Sequence, residues 1–428
     1  MSMKKNVLVF PCGSEIGLEL YRSLSYSTNF SLIGGSSVED HGSYVYSRYI
    51  TGLPFVEAHD FIEKINTVVK QYQIDYIFPA HDSVVVKLAQ AKLTGNIDCE
   101  IITSPADTCE LLRSKGRTYD CFSDAMHVPR IYKSLQDISE EDWPVFLKPD
   151  TGQGSKGTHL VSSLKEAEVY TAADNSLLIL ENLPGKEYTV DCFTNRHGEL
   201  LFCEARQRQR ILNGISVNSV IVRDKQFKEL ANIINNKLKL NGVWFFQLKE
   251  NKADELVLME ISPRVAGTMG LTRCMGVNLP LLSLFNAQGY DIDIIENDYS
   301  ITIDRALENK YKHDIKYSHV YLDFDDLVVF EEYVNPNIIA FVYQCFNKNI
   351  KVHLLTKHKD DLRATLQKYH LTGVFDDLTQ IPKTDNKYAY ISEKEAIFID
   401  DSFAERKQVH EVCHIPVFDS HMLEALMD

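Results

Sequence analysis

The sequence predicts a multidomain fold, with a parallel α/β block at each end of the chain and an α+β block between them. Three observations predict it. The chain has 428 residues, more than one ordinary hydrophobic core organises. Over residues 1–105 and 313–428, short apolar runs alternate with helical patterns, the rhythm of βαβ units and a parallel sheet. Residues 106–312 mix longer β-branched and aromatic runs with helices but lack that rhythm.

In the first block NVLVF reads as a strand closed by Pro11-Cys12-Gly13, followed by a helix from Ile16 to Leu24. FSLIGGS is a second strand, FIEKINTVVKQY an amphipathic helix, IDYIFPA a third strand and SVVVKLAQAKL another helix. Gly13-Ser14-Glu15-Ile16-Gly17 does not have the spacing of a dinucleotide fingerprint. Gly34-Gly35-Ser36, not a carboxylate, end the next strand, so the segment reads as a tight strand-to-helix turn. In the middle block TCELLRSKGRTYDCFSDA and KELANIINNKLKL read as helices. VFLKPD, LLILENL, YTVDCFT, VWFFQLKE and ELVLMEISP read as strands. The charge-rich DIIENDYSITIDRALENKYKHDIKYS marks the junction. Beyond it HVYLDFDDLVVF, IKVHLLTKH and EAIFIDDSF are strands, and PNIIAFVYQCFNKN and KDDLRATLQKYH are helices.

Composition narrows the function classes. Apolar residues make up 44% and charged residues 25%, a globular balance. A net charge of −15 repels phosphate backbones and anionic lipid, so neither nucleic-acid nor membrane binding is expected. No stretch approaches the roughly 20 apolar residues that span a bilayer. Pro11 and Gly13 cut the first apolar run short of a signal-peptide core. Nine cysteines stand singly with no CxxC pair, which suits reduced thiols in a cytoplasmic protein and gives no zinc site.

Three stretches of the middle block carry chemistry. Lys148 ends a strand and is followed by Pro149-Asp150-Thr151-Gly152-Gln153-Gly154-Ser155-Lys156-Gly157. Glycines let backbone amides approach phosphate oxygens, and the lysine adds a point charge. The same residues also suit a plain hairpin loop, and the spacing is not that of a P-loop. In Glu181-Asn182-Leu183-Pro184-Gly185-Lys186-Glu187, a Pro-Gly turn interrupts two strands. Its backbone can face an adenine edge and Glu187 can accept from ribose hydroxyls; a hairpin with a solvated Glu is the alternative. VWFFQLKE and LVLMEISPR, joined by the polar turn ENKADE, should pair antiparallel and bring Gln247 and Glu260 together as oxygen ligands for Mg²⁺. Arg264 follows, where a guanidinium can stabilise a transferring phosphoryl group. Arg206, Arg208 and Arg210 alternate with neutral residues and would share one face of a strand, either holding a substrate carboxylate or ATP phosphates, or protecting an edge.

The order of these elements resembles the ATP-grasp superfamily of carboxylate–amine ligases over the first two blocks. The resemblance implies a Rossmann-like N-terminal domain before an ATP-grasp domain, with ATP and Mg²⁺ as cofactors. Lys115 and Lys148 would be the two ATP lysines, with Gly154, Ser155 and Gly157 in the flap. Glu181, Asn182 and Leu183 would form the adenine hinge, and Glu187 would bind ribose. Gln247, Glu260 and Ser262 would hold the metal, Ser262 standing where the family usually has Asn. Arg264 would be the catalytic arginine and Arg210 a substrate ligand. The implied reaction joins a small carboxylate to an amine, or to a thiol, through an acyl phosphate, releasing ADP and phosphate. A homo-oligomer is compatible with it.

In the last block Tyr321-Leu322-Asp323-Phe324-Asp325-Asp326-Leu327 puts carboxylates at a strand end, and Phe398-Ile399-Asp400-Asp401-Ser402 ends another strand. Carboxylates converging from separate strands repel unless a cation sits among them. These motifs resemble the haloacid dehalogenase (HAD) superfamily, a Rossmannoid fold. The resemblance implies Asp323 as nucleophile, Asp325 as general acid/base, and a metal held by Asp323, Asp325, Asp400 and Asp401. Thr356 and Lys387 would bind phosphate, with Lys383 competing for the lysine role. Leu327 stands where Thr or Val is usual. Two other readings of the whole chain are a phosphatase with a nucleotide-sensing ATP-grasp part and a non-catalytic scaffold built on two enzyme folds.

Overall fold

The computed structural model describes residues 4–152 and 154–428, so Met1–Met3 and Gln153 of the glycine-rich loop lie outside the described residues. The chain divides into two compact units, Met1–Leu307 and Glu308–Asp428.

The first unit opens with β1 (Lys5–Phe10), whose side chains alternate between two buried faces. Val7 and Val9 enter one core while Leu8 and Phe10 enter the other. A strand apolar on both faces belongs in the middle of a parallel sheet. It lies there, in the order β3-β2-β1-β4-β5, with β2 (Phe30–Gly35), β3 (Tyr49–Ile50), β4 (Ile74–Pro79) and β5 (Glu100–Ile101) all parallel. Helices α1 (Glu15–Leu24), α2 (Phe61–Tyr72) and α3 (Asp82–Leu93) make the crossovers. Ser14 caps α1 by accepting from the Gly17 N–H. A side chain at Gly17 would strike the Cys12 carbonyl, its Cβ lying 2.2 Å from the oxygen, so this glycine is required by close packing of the turn.

The expected helix through residues 108–125 is two helices, α4 (Ala106–Arg113) and α5 (Lys115–Phe122). Ser114 adopts an extended conformation between them and caps α5 by accepting from the Arg117 N–H. Next comes a small antiparallel sheet of order β6-β9-β7-β8, made of β6 (Ile131–Tyr132), β7 (Val145–Pro149), β8 (His159–Val161) and β9 (Leu177–Glu181), with α6 (Leu164–Ala173) packed on it.

The large antiparallel sheet follows the order β14-β13-β10-β11-β12-β15. Its strands are β10 (Glu187–Thr194), β11 (Leu200–Leu212), β12 (Ile215–Val222), β13 (Gly242–Glu250), β14 (Leu256–Ser262) and β15 (Thr302–Asp304). Helix α7 (Lys225–Lys237) covers one face through Phe227, Ala231 and Ile234 against Val190, Trp244 and Phe246. The other face, through Phe193 and Phe245, shares a core with Val7, Leu20 and Phe30 of the N-terminal block. α8 (Gly270–Cys274) adds Leu271 beside that region, and α9 (Leu279–Ala287) adds Leu284 to the core. β15 lies in the stretch read as a polar junction; three residues pairing with β12 leave too short an alternation to be seen.

The second unit is built on a parallel sheet of order β20-β19-β16-β21-β22. β16 (His319–Leu322) is central; a hairpin of β17 (Val329–Phe330) and β18 (Tyr333–Val334) and helix α10 (Pro336–Asn347) follow it. Then come β19 (Lys351–Thr356), α11 (Leu362–Lys368), β20 (Asp377–Gln380), β21 (Ala396–Ile399), α12 (Phe403–Cys413) and β22 (Val417–Phe418). The expected strand HVYLDFDDLVVF therefore stops after four residues. Asp326 then takes a left-handed conformation at φ +57°, and the chain folds back as the hairpin. Asp323 and Asp400 follow directly after the adjacent parallel strands β16 and β21. No helix among the described residues is long and apolar enough to cross a membrane.

Candidate functional site

In the first unit the small and large sheets line a cleft of about 300 Å³ that includes Lys115, Lys148, Glu187, Arg208, Gln247 and Glu260, with Gly154 and Ser155 at its edge. The antiparallel register sets Gln247 directly opposite Glu260, which places two oxygen donors side by side on the cleft face. Lys148 leaves β7 into the same space and lies 5.5 Å from the Tyr119 ring centre. Burial, reinforced by the Lys115 ammonium, pushes Lys148 down to about 8. Burial also lowers Lys115, whose Nζ donates to the carbonyls of Asp150 (3.2 Å) and Gly152 (3.1 Å). Two buried ammonium groups in one cleft, Lys115 lowering Lys148, favour an anionic ligand.

The glycine-rich loop joins β7 to β8, which pair antiparallel, so it is a hairpin loop as well as the edge of the cleft. Gly154 (φ +59°) and Ser155 (φ +54°) are both left-handed, a conformation that is uncommon for serine. Gly214, at the turn between β11 and β12, packs on them. A Cβ there would come within 2.6 Å of Ser155 Oγ.

Glu187 lies against two cations: Arg208 pairs with Oε1 and Lys249 Nζ stands 3.7 Å from Oε2. Arg208 also donates to Gln247 Oε1 (3.4 Å) and to the Gly214 carbonyl (2.7 Å). Glu181 closes β9, and its Oε1 accepts the Arg130 N–H at 2.9 Å, while Leu183 is buried. Glu181, Asn182 and Leu183 thus occupy the link between the two sheets.

Arg264 and Ser262 converge on a residue that the sequence reading missed. Asp82, the first residue of α3, accepts from Arg264 Nε (2.7 Å) and Nη2 (2.8 Å), and from Ser262 Oγ (2.9 Å). Burial pushes the Asp82 carboxyl up, but the Arg264 charge and these hydrogen bonds more than reverse it and hold it well below the usual carboxylate range. The available signal was position: Asp82 follows the carboxyl end of a parallel strand, where ligand sites gather.

The arginine row divides. Strand β11 is internal, so it is not a charge-protected edge. Arg206 is buried in an ion pair with Asp191 and also donates to Thr268 Oγ1 (2.8 Å). Arg208 faces the cleft. Arg210, expected to bind substrate, is not among the cleft residues. Register shifts on both sides of it break the alternation, and its guanidinium pairs with Asp304 at 2.8 Å, 60% exposed.

In the second unit the carboxylates of Asp323, Asp400 and Asp401 come within 4.8 Å of one another. Lys387 Nζ lies 2.8 Å from Asp323 and 2.6 Å from Asp400, which gives it the inner position that Lys383 was considered for; Lys383 lines an outer groove instead. Burial and the Asp323 charge push Asp400 up to about 6, against the pull of Lys387. Burial, Asp323 and Asp326 also raise Asp401. Thr356 is buried at the end of β19. The Asp325 carboxylate, expected as a metal ligand, is not in this group. It turns to His358, whose Nδ1 lies 2.8 Å away.

Residues 173–307 match the family model described as ATP-grasp in the biosynthetic pathway with Ter operon. No curated protein matches the sequence. The structure is similar to the biotin carboxylase domain of Hydrogenobacter thermophilus 2-oxoglutarate carboxylase, solved with MgADP and bicarbonate. There the identity is 15%, the TM-score 0.58, and the match covers 71% of this chain and 74% of that one. It is also similar to an L-amino acid ligase from Bacillus licheniformis, at 15% identity and TM-score 0.53, with 67% and 75% covered. A third likeness is to N5-carboxyaminoimidazole synthetase from Staphylococcus aureus, at 15% identity and TM-score 0.53, with 66% and 78% covered. These likenesses show an ATP-grasp fold.

Proposed function

We propose that the first unit is an ATP-dependent ligase that joins a small carboxylate to an amine (or a thiol) through an acyl phosphate. The observation that carries this is the pairing of Gln247 with Glu260 on the cleft face, opposite the buried Lys115 and Lys148. Two oxygen donors beside two buried ammonium groups fit a magnesium-bound polyanion. Gln247 and Glu260 would hold the metal, with Ser262, whose hydroxyl Asp82 engages, at its margin. ATP supplies the phosphoryl group that turns the carboxylate into a better acyl donor. Lys115 and Lys148 balance phosphate charge, and the 152–157 loop lends backbone N–H groups. Glu187 accepts from the ribose, and Arg264, aimed by Asp82, faces the charge that develops during transfer. The carboxylate oxygen attacks the terminal phosphorus as its bond to ADP breaks. The amine nitrogen then attacks the acyl carbon and phosphate departs. The test is ADP, AMP and phosphate release over pools of carboxylates and amines. ADP formation that needs both partners supports the reading, and AMP formation refutes it.

For the second unit we propose a HAD-like phosphohydrolase of Rossmannoid fold acting on a phosphomonoester. Three carboxylates within 4.8 Å of one another, with Asp400 and Asp401 raised by burial and by the Asp323 charge, fit a divalent cation held by Asp323, Asp400 and Asp401. Lys387 and Thr356 would bind phosphate, Asp323 would attack phosphorus, and Asp325 would serve as acid and then base. Phosphate release from a phosphomonoester panel, lost in Asp323→Asn, tests it.

A further inference from the structure

His358 lies two residues beyond Thr356 and is held on every side. Its backbone N–H donates to Thr356 Oγ1 (3.2 Å), and Gln380 Nε2 donates to its carbonyl (2.9 Å). The Phe324 ring meets the imidazole edge-on at 5.2 Å between centres. The side chain is 11% exposed, while that of its partner Asp325 is 51% exposed.

The hydrogen bonds fix the imidazole's orientation. Thr365 Oγ1 gives its one proton to the Asp361 carbonyl at 2.9 Å. That hydroxyl is left to accept, so the 3.1 Å contact from His358 Nε2 is an N–H donation. Nδ1 then faces Asp325, at 2.8 Å from Oδ1 and 3.1 Å from Oδ2, with one proton lying between the ring and the carboxyl. A half-exposed aspartate on its own samples several rotamers. Here an anchored ring selects one of them.

We propose that His358 is a positioning residue for the acid/base Asp325, holding its carboxyl in the orientation from which the proton is delivered. The inference rests on the phosphohydrolase reading of the second unit. In the first step Asp323 forms a bond to phosphorus and the ester P–O bond breaks, while Asp325 gives its proton to the departing oxygen. In the second, water attacks phosphorus, a water proton goes to Asp325, and the Asp323–phosphorus bond breaks to release phosphate. An acid is needed most when the departing oxygen is a strong base, so alkyl esters depend on Asp325 more than a nitrophenyl ester does.

The experiment measures kcat and KM separately for glycerol phosphate and p-nitrophenyl phosphate in the full chain. It compares wild type, His358→Ala, His358→Asn and Thr365→Val. General acid catalysis contributes about 10²-fold or more. His358→Ala should therefore lower kcat on glycerol phosphate by about that factor, with a much smaller fall on the nitrophenyl ester and KM unchanged on both. Asn places a side-chain donor near the Nδ1 position and should restore most of the alkyl rate. Thr365→Val removes the Nε2 anchor, together with the Thr365 bond to the Asp361 carbonyl, and should give the same selective loss in smaller measure. Equal losses on both esters, no rescue by Asn, or an unaffected His358→Ala protein would overturn the positioning role while leaving the phosphohydrolase reading standing. A wild type inert on every phosphomonoester would overturn that reading and this proposal with it.

Discussion

Asp82→Asn tests the link between the N-terminal block and the proposed catalytic arginine. The substitution keeps the size of the side chain and removes its charge. It leaves Arg264, 12% exposed, facing a neutral amide where a 19% exposed carboxylate accepted two of its N–H groups. Breaking a buried pair by removing one partner costs about 3–5 kcal/mol, and some remaining water contact brings the expectation to about 2–3 kcal/mol. A unit of this size loses roughly 2 °C of Tm per kcal/mol, so calorimetry should show a fall of about 5 °C. The pH dependence has a definite sign. Because the folded state depresses the Asp82 carboxyl, its contribution is present above the unfolded value near pH 4 and is lost as pH falls below it. The variant should accordingly lose stability less steeply on acidification than wild type. Its ADP formation should also drop, since Arg264 loses the group that aims it. A Tm within about 1 °C of wild type, or an identical acid limb, would refute the buried pairing. A lower Tm with undiminished ADP formation would refute the aiming role alone.

Glu260→Ala should abolish ADP formation, with Gln247→Ala weakening it less because a neutral amide is the poorer metal ligand; undiminished turnover in Glu260→Ala would remove the metal assignment. Lys148 is pushed down to about 8, and phosphate binding favours its protonated form. ATP affinity by calorimetric titration should therefore be full below about pH 8 and fall as pH rises through it, and Lys148→Met should lose that dependence. A dissociation constant flat from about pH 7 to 10 would contradict the burial argument. Asp323→Asn should erase phosphomonoester hydrolysis and leave ligation nearly intact, with Lys148→Ala doing the reverse. Loss of both activities in either variant, with the circular dichroism unchanged, would mean that the two chemistries are coupled.

What the sequence disclosed follows the range over which each interaction acts. The pairing of Gln247 with Glu260 was legible because a short polar turn joins two apolar strands and leaves few registers open. That a loop follows Lys148 and joins two antiparallel strands was legible because glycines cluster beside a strand end. Asp82 was not, because it meets Arg264 across 182 positions of chain, and no local pattern encodes that meeting. Arg210 was misplaced for a subtler reason. The alternation of Arg206, Arg208 and Arg210 assumes an unbroken pleat, and the register shifts after Arg208 turn the third arginine away. The same limit hid the break at Ser114, where a single serine caps a new helix inside an otherwise continuous helical pattern. Lys387 sits in a short 3-10 turn, so only the fold, not a period, separates it from Lys383.

The two sites hold charge imbalances of opposite sign, and this is the physical reason to read them as separate binding sites. In the first, burial and the nearby Lys115 ammonium make Lys148 harder to keep protonated, and burial and Arg113 do the same to Lys115. In the second, Asp400 and Asp401 are raised by burial and then by the Asp323 carboxylate, and Lys387 offsets only part of this. Like charges held close and out of water work against folding. The arrangement is therefore relieved by a ligand of the opposite sign, a polyanion in the first cleft and a cation in the second. Asp82 with Arg264 and Asp191 with Arg206 are the contrasting case in the same unit. There each buried charge already has its counterion, and the pairing fixes where each side chain points. The unmatched clusters thus mark where a charged ligand is called for, and a matched pair such as Asp82 with Arg264 fixes the direction of a group that acts there.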